Sequence, residues 1–171
     1  MSPARLALSV PDHAATQEPR QPDPQETAER SAAAMWAGDR ASAHLGIEIS
    51  GVGPGRATAR MTVTETMING HDLAHGGYVF LLADSAFAFA CNSYGRVTVA
   101  AGADVAFLSP AHLGDVLTAE AVERARGGRS GIYDVTVRRG DGTVVAEFRG
   151  RSRTIAGSLL GDPSTGSTTP A

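Results

Sequence analysis

The chain has 171 residues, 42% of them hydrophobic, with a net charge of −3 and a single cysteine. That length builds one domain with a proper core and not comfortably two. The arginines are scattered without a basic stripe, which sets nucleic acid aside as a partner, and one cysteine forms no internal disulfide and fits a reducing cytoplasm.

Residues 1–24 carry Pro3, Pro11, Pro19, Pro22 and Pro24 among polar residues. Such a segment has little to bury and is expected to be disordered. Its apolar patch, Leu6 to Val10, is too short and badly flanked for a signal peptide. From Gln25 to about Ala43 the spacing of Ala28, Ala32, Met35 and Trp36 predicts one helix, stopped by Gly46. Alternation then starts at Leu45 to Ile49, and Val52-Gly-Pro-Gly-Arg56 reads as a turn into a strand over Ala57 to Val63. Residues 64–74 form a loop containing Asn69-Gly70-His71-Asp72.

His75 to Gly95 organises the rest. Two glycines open it, and Tyr78, Val79, Phe80, Leu81, Leu82, Phe87 and Phe89 follow with alanines between them. A helix apolar on every side is buried. At about 18 residues it is long enough to span a bilayer, but Asp84 stands in its middle. A carboxylate there is costly unless paired, so it is either a polar core residue bonded to Ser85 or a nearby loop, or the working group. The second reading is taken here, and no other segment suggests a membrane.

Four strands are predicted after the helix. Val97 to Leu108 puts Val97, Val99, Ala101, Val105 and Phe107 on one face, and Asp115 to Ala125, Gly131 to Arg138 and Thr143 to Thr154 follow. Gly140-Asp141-Gly142 marks a hairpin. Residues 157–171, rich in Gly, Ser, Thr and Pro, read as a solvated tail. Segregated runs of helix and strand predict an α+β fold over residues 25–156, an antiparallel sheet wrapped around one long central helix. The face of that helix left over would need a second subunit.

Met61-Thr-Val-Thr, Met67-Ile-Asn-Gly-His71, His75-Gly-Gly and Leu82-Ala-Asp-Ser-Ala-Phe-Ala-Phe-Ala-Cys-Asn-Ser93 together resemble the phenylacetic acid degradation thioesterases. The likeness continues through Phe107-Leu-Ser-Pro110, Gly131-Ile-Tyr-Asp-Val135 and Phe148-Arg-Gly150, so it covers roughly residues 30–158. It implies a hotdog fold, a homodimer or dimer of dimers, and hydrolysis of phenylacetyl-CoA-like thioesters without a cofactor.

Gly76 and Gly77 begin the central helix, where backbone N–H groups lack intrahelical partners and favour a developing oxyanion. Resemblance assigns Gly76 the carbonyl-polarising role. Asp84 is then the nucleophile or the general base for water. Asn69 either donates its amide to the acyl carbonyl or holds the loop, and resemblance favours the first. Ser85 stands where the family often has threonine; its hydroxyl positions water or sulfur, or bonds back to the helix. Gly76 and Asp84 lie eight residues apart, about 12 Å along one helix, whereas a reacting carbonyl must lie about 3 Å from both groups. Two antiparallel copies about a twofold axis meet that demand, so Gly76 from one subunit is expected to face Asp84 from the other.

For substrate and CoA the candidates are His75, Gly77, Arg129, Ser130 and Arg151, with Arg153 beside them; Gly127-Gly-Arg-Ser-Gly131 either supplies further donors for phosphates or is a solvated hairpin with ordinary surface charge. His75 equally serves to fix the start of the helix. No third ligand joins His71 and His75 at a metal-site spacing, and Cys91 has apolar neighbours without a base. Tyr78, Phe80 and Phe87 either line or underlie the acyl pocket or belong to ordinary core packing, and the second reading is favoured for each. Two rival readings are a hotdog hydratase or dehydratase, which needs a His base paired with the carboxylate, and a non-catalytic acyl-CoA-binding protein.

Overall fold

The computed structural model describes residues 23–161. Most of the two terminal segments expected to be unstructured therefore lies outside the described residues. What is described of them is ordered. Asp23 caps the first helix, accepting the Gln25 N–H at 3.1 Å. The last strand runs on to Ser158, paired with Arg96, and the Leu159 N–H donates to the Gly95 carbonyl.

The single helix expected over 25–43 is two, α1 (Pro24–Trp36) and α2 (Arg40–His44). Asp39 causes the break: its carboxylate accepts the Ser42 N–H at 3.0 Å and starts a new helix just after Gly38. Six antiparallel strands follow around α3 (Gly76–Cys91): β1 (Glu48–Gly53), β2 (Arg56–Thr62), β3 (Arg96–Phe107), β4 (Val116–Gly127), β5 (Ser130–Arg139) and β6 (Val144–Ser158). Their order in the sheet is β1-β2-β4-β5-β6-β3.

The sheet wraps the helix because its inner face is lined with small residues. Ala57 lies opposite Ala121 and Ala59 opposite Ala119, all buried. Ala83, Ala86 and Ala90 of α3 are buried too, and α3 touches all six strands. Small residues on both partners let the backbones approach closely. Gly150 of β6 carries this furthest, since a Cβ there would sit 2.6 Å from the Phe87 ring. Phe87 in turn packs edge-on to Tyr133 at 5.5 Å and beside Phe148 at 5.9 Å. Removing a buried ring of this kind typically costs about 3–5 kcal/mol.

The helix ends as its sequence demands. Asn92, buried, donates to the Ala88 and Thr98 carbonyls and accepts the Thr98 N–H, tying α3 to β3. Gly95 then takes φ +75°, a conformation that suits glycine. Inside β3 the expected face is broken. A register shift between Ala100 and Gly102 turns Thr98 inward, where its hydroxyl meets that of Thr154, and leaves Val99 exposed while Val105 packs on the core. One inserted residue exchanges the faces on its two sides.

Candidate active site

The loop before α3 is held almost wholly by its own backbone. Ile68 bridges Ala74, the His75 N–H donates to the Met67 carbonyl, and the Ala74 N–H donates to that of Ala111. Asn69 sits at its centre. The Asn69 Oδ1 accepts the N–H groups of His71 at 2.8 Å and Leu73 at 3.3 Å. Oδ1 thus holds the loop, while the side-chain amide donates to nothing among the described residues. Asp72 is turned to φ +58° by this closure.

His75 is the N-cap of α3. Its Nδ1 accepts the Gly77 N–H at 2.9 Å, and its carbonyl accepts that of Tyr78. Sequence reasoning counted both glycine amides as free, but the Gly77 amide is taken. The Gly76 N–H alone has no partner among the described residues, at the positive end of a 16-residue helix. The His75 Nδ1 and the Gly77 N–H thus serve to build the helix start, while the His75 Nε2 has no partner among the described residues.

Gly76 and Asn69 share one cavity of about 420 Å³. Leu73, Val79, Phe107, Leu108, Ser109 and Pro110 are among the residues of its wall. The Phe107 ring lies 3.0–3.4 Å from where a Gly76 Cβ would stand, so any side chain at Gly76 would press on that ring. A larger hollow between α1 and β1, about 570 Å³, is lined by neither Gly76 nor Asp84 and lies away from this chemistry.

Asp84 lies on the one strip of α3 that the fold leaves uncovered: Gly77 is exposed, and Leu81, Asp84 and Ala88 are half-buried along the same side. The Asp84 carboxylate makes no hydrogen bond or ion pair among the described residues, and burial holds its proton affinity above the ordinary carboxylate range. A desolvated acid with an open face is the electrostatic signature of a working group. Ser85 turns elsewhere, its hydroxyl 3.1 Å from that of Ser42 on α2. Ser42 had no signal in the sequence beyond its place in a helical stretch.

The other candidates are dispersed. Phe87 is wholly core, and Phe80 packs edge-on to Phe148 at 5.3 Å. Burial, and then the charge of Asp84, push the Cys91 thiol up to about 12, so it stays protonated and inert as a nucleophile at neutral pH. Arg129 donates to the Thr154 carbonyl at 2.9 Å, and Ser130 opens β5 beside it. Arg151 forms an ion pair with Asp104 across β6 and β3. The guanidinium proposed for phosphate is thus already engaged. Among the described residues no group of three or more His, Cys, Asp or Glu is placed to hold a metal, and no helix is long and apolar enough to cross a membrane.

A six-stranded antiparallel sheet folded round a single apolar helix is the hotdog architecture. Residues 71–146 match the thioesterase superfamily model. The acyl-coenzyme A thioesterase PaaI of Escherichia coli K12 is 44% identical over 133 residues, 78% of this chain and 95% of the relative. The structure of the E. coli PaaI protein, from the phenylacetic acid degradation operon, superposes with a TM-score of 0.78 at 43% identity, over 80% of this chain and 99% of that one. A hypothetical thioesterase protein from Streptococcus pneumoniae TIGR4, solved with coenzyme A, matches at a TM-score of 0.62 and 25% identity, over 64% of this chain and 85% of that one. The chain belongs to the thioesterase superfamily, and it is a thioester hydrolase.

Proposed function

We propose that this enzyme hydrolyses phenylacetyl-CoA and hydroxyphenylacetyl-CoA-like thioesters to the free acid and CoA, in the cytoplasm, at composite sites in a homodimer or dimer of dimers. One observation carries the reading. The free donor at Gly76 and the unpaired acid at Asp84 sit on the same helix, roughly 12 Å apart by helical rise, and neither has a partner among the described residues. A second antiparallel copy brings each to the other. Two further features support a second copy: the open strip on α3, and the outer edge of β3, which pairs with no strand among the described residues.

In this site the thioester carbonyl accepts the Gly76 N–H, assisted by the amide of Asn69. Asp84 of the other subunit either removes a proton from water as it attacks, or attacks first and forms an anhydride that water then opens. In both routes the carbonyl oxygen gathers negative charge against the helix N-terminus, the C–S bond breaks, and the CoA thiolate leaves and takes a proton. An oxyanion donor of this kind is typically worth about 3–4 kcal/mol in the barrier. Ser130, Arg129, Arg151 and the neighbouring Arg153 remain candidates for the CoA phosphates; Arg151 has further N–H groups beyond the one on Asp104.

The name and operon of the E. coli relative support the phenylacetyl group, and the coenzyme A in the streptococcal structure supports the carrier. A hydratase needs an imidazole beside the acid, and no histidine bonds to Asp84 among the described residues. Thiol release from phenylacetyl-CoA tests the reading: wild type should turn over, and Asp84→Ala should lose about 100-fold or more. Unchanged release by the variant rejects it; hydration of a double bond instead of thiol release indicates the hydratase, and binding without turnover the acyl-CoA-binding protein.

A further inference from the structure

The cavity beside Gly76 has a one-sided chemistry. Phe107 closes β3 with 54% of its surface exposed, and Leu108 follows at 60%. Both face the hollow that contains the free Gly76 amide.

A thioester held on that amide sends two arms away from its carbonyl, the acyl group and the pantetheine chain. Pantetheine carries two amides, each of which loses stability if it is buried without a partner. Besides the Asn69 amide, which serves the carbonyl, and the Ser109 hydroxyl, the wall has little to offer them. The N–H groups of Leu108 and Ser109 both donate to the Val145 carbonyl, and the Ala111 carbonyl accepts the Ala74 N–H. Pro110 has no N–H, and its carbonyl accepts from Arg139 at 3.3 Å. What remains toward the hollow is chiefly hydrocarbon and one aromatic face.

We infer that the acyl arm lies in this cavity and that Phe107 is the residue that selects an aryl acyl group. The ring of a phenylacetyl group packs offset or edge-on against it, the arrangements aromatic pairs favour. Because Phe107 also lies against Gly76, the ring that reads the acyl group and the donor that polarises its carbonyl are fixed to each other. A volume of about 420 Å³ falls in the size range of small-molecule pockets. The inference rests on the thioesterase reading above and names the specificity element of that site.

The test is the ratio of kcat/KM on phenylacetyl-CoA to that on acetyl-CoA, a quantity independent of how much of a variant is folded. Phe107→Ala should lower the ratio about tenfold or more, and Phe107→Leu, which keeps apolar volume and loses the aromatic face, by an intermediate factor. Leu113→Ala, an exposed leucine outside the cavity, should leave it unchanged. A ratio within about twofold of wild type in Phe107→Ala, or a common loss on both substrates, overturns the assignment while the thioesterase reading stands. A wild type that releases no thiol from either substrate overturns both.

Discussion

The Nδ1 of His75 takes the Gly77 N–H at 2.9 Å, and that bond singles out Gly76. Two glycines in sequence look equivalent, and either amide suits an oxyanion. Capping removes one and leaves the other, so the helix presents a single donor toward the cavity.

Gly76→Pro and Gly76→Ala separate the donor from the space around it. Both add a carbon facing Phe107, but only proline removes the N–H. Proline is well suited to the first position of a helix, and His75 already has the extended backbone (φ −63°, ψ 130°) that a residue before proline needs. Both variants should fold and both should lose activity. The proline variant is expected to be slower than the alanine variant by about 100-fold in kcat. Equal rates would mean that the amide does no chemistry.

Gly150→Ala tests the closeness of sheet and helix. The backbone of Gly150 is not in the left-handed region, so the penalty comes from contact alone: the new Cβ meets three Phe87 ring atoms at 2.6–2.9 Å. Overpacking of this kind costs about 1–3 kcal/mol. Thermal or urea unfolding should show that loss, and pairing the change with Phe87→Leu should recover part of it.

Asp84 gives a pH signature with a definite sign. Burial raises its pKa above 3.8, so the folded protein binds this proton more tightly than the unfolded chain does. The stability it contributes is complete below 3.8 and is lost as pH climbs through the raised folded value. Asp84→Asn should therefore melt higher than wild type at neutral pH, and the gap should close as pH falls toward 3.8. A gap that widened in acid would contradict the burial of this carboxylate.

The plan of strands and one central helix was legible because α3 is the one long apolar run and the strands around it alternate. What was hidden depends on contacts distant in sequence. Ala100-Ala101-Gly102 has no polar alternation to betray a bulge, and Gly157-Ser158 looks like tail until Arg96 pairs with Ser158. Ala37-Gly38-Asp39 carries no strong stop, yet Asp39 caps a second helix. At the site, Asp84 and Gly76 stand out as a charge in grease and a glycine at a helix start. Which glycine stays free turns on one imidazole nitrogen. Charge alone nominated Arg151 for phosphate, because its pairing with Asp104 follows from the register of β3 and β6. Phe107 read as one more strand residue, since its place over Gly76 needs the end of β3 brought beside the start of α3.

The composite site is tested most directly by a purified mixed dimer, one subunit carrying Gly76→Pro and the other Asp84→Ala. Each parent homodimer should be nearly inactive on phenylacetyl-CoA. In the mixed dimer one site joins an intact Gly76 to an intact Asp84 from opposite subunits, and it should recover about half the wild-type kcat. A mixed dimer no faster than its parents would show that donor and acid do not meet across the twofold axis.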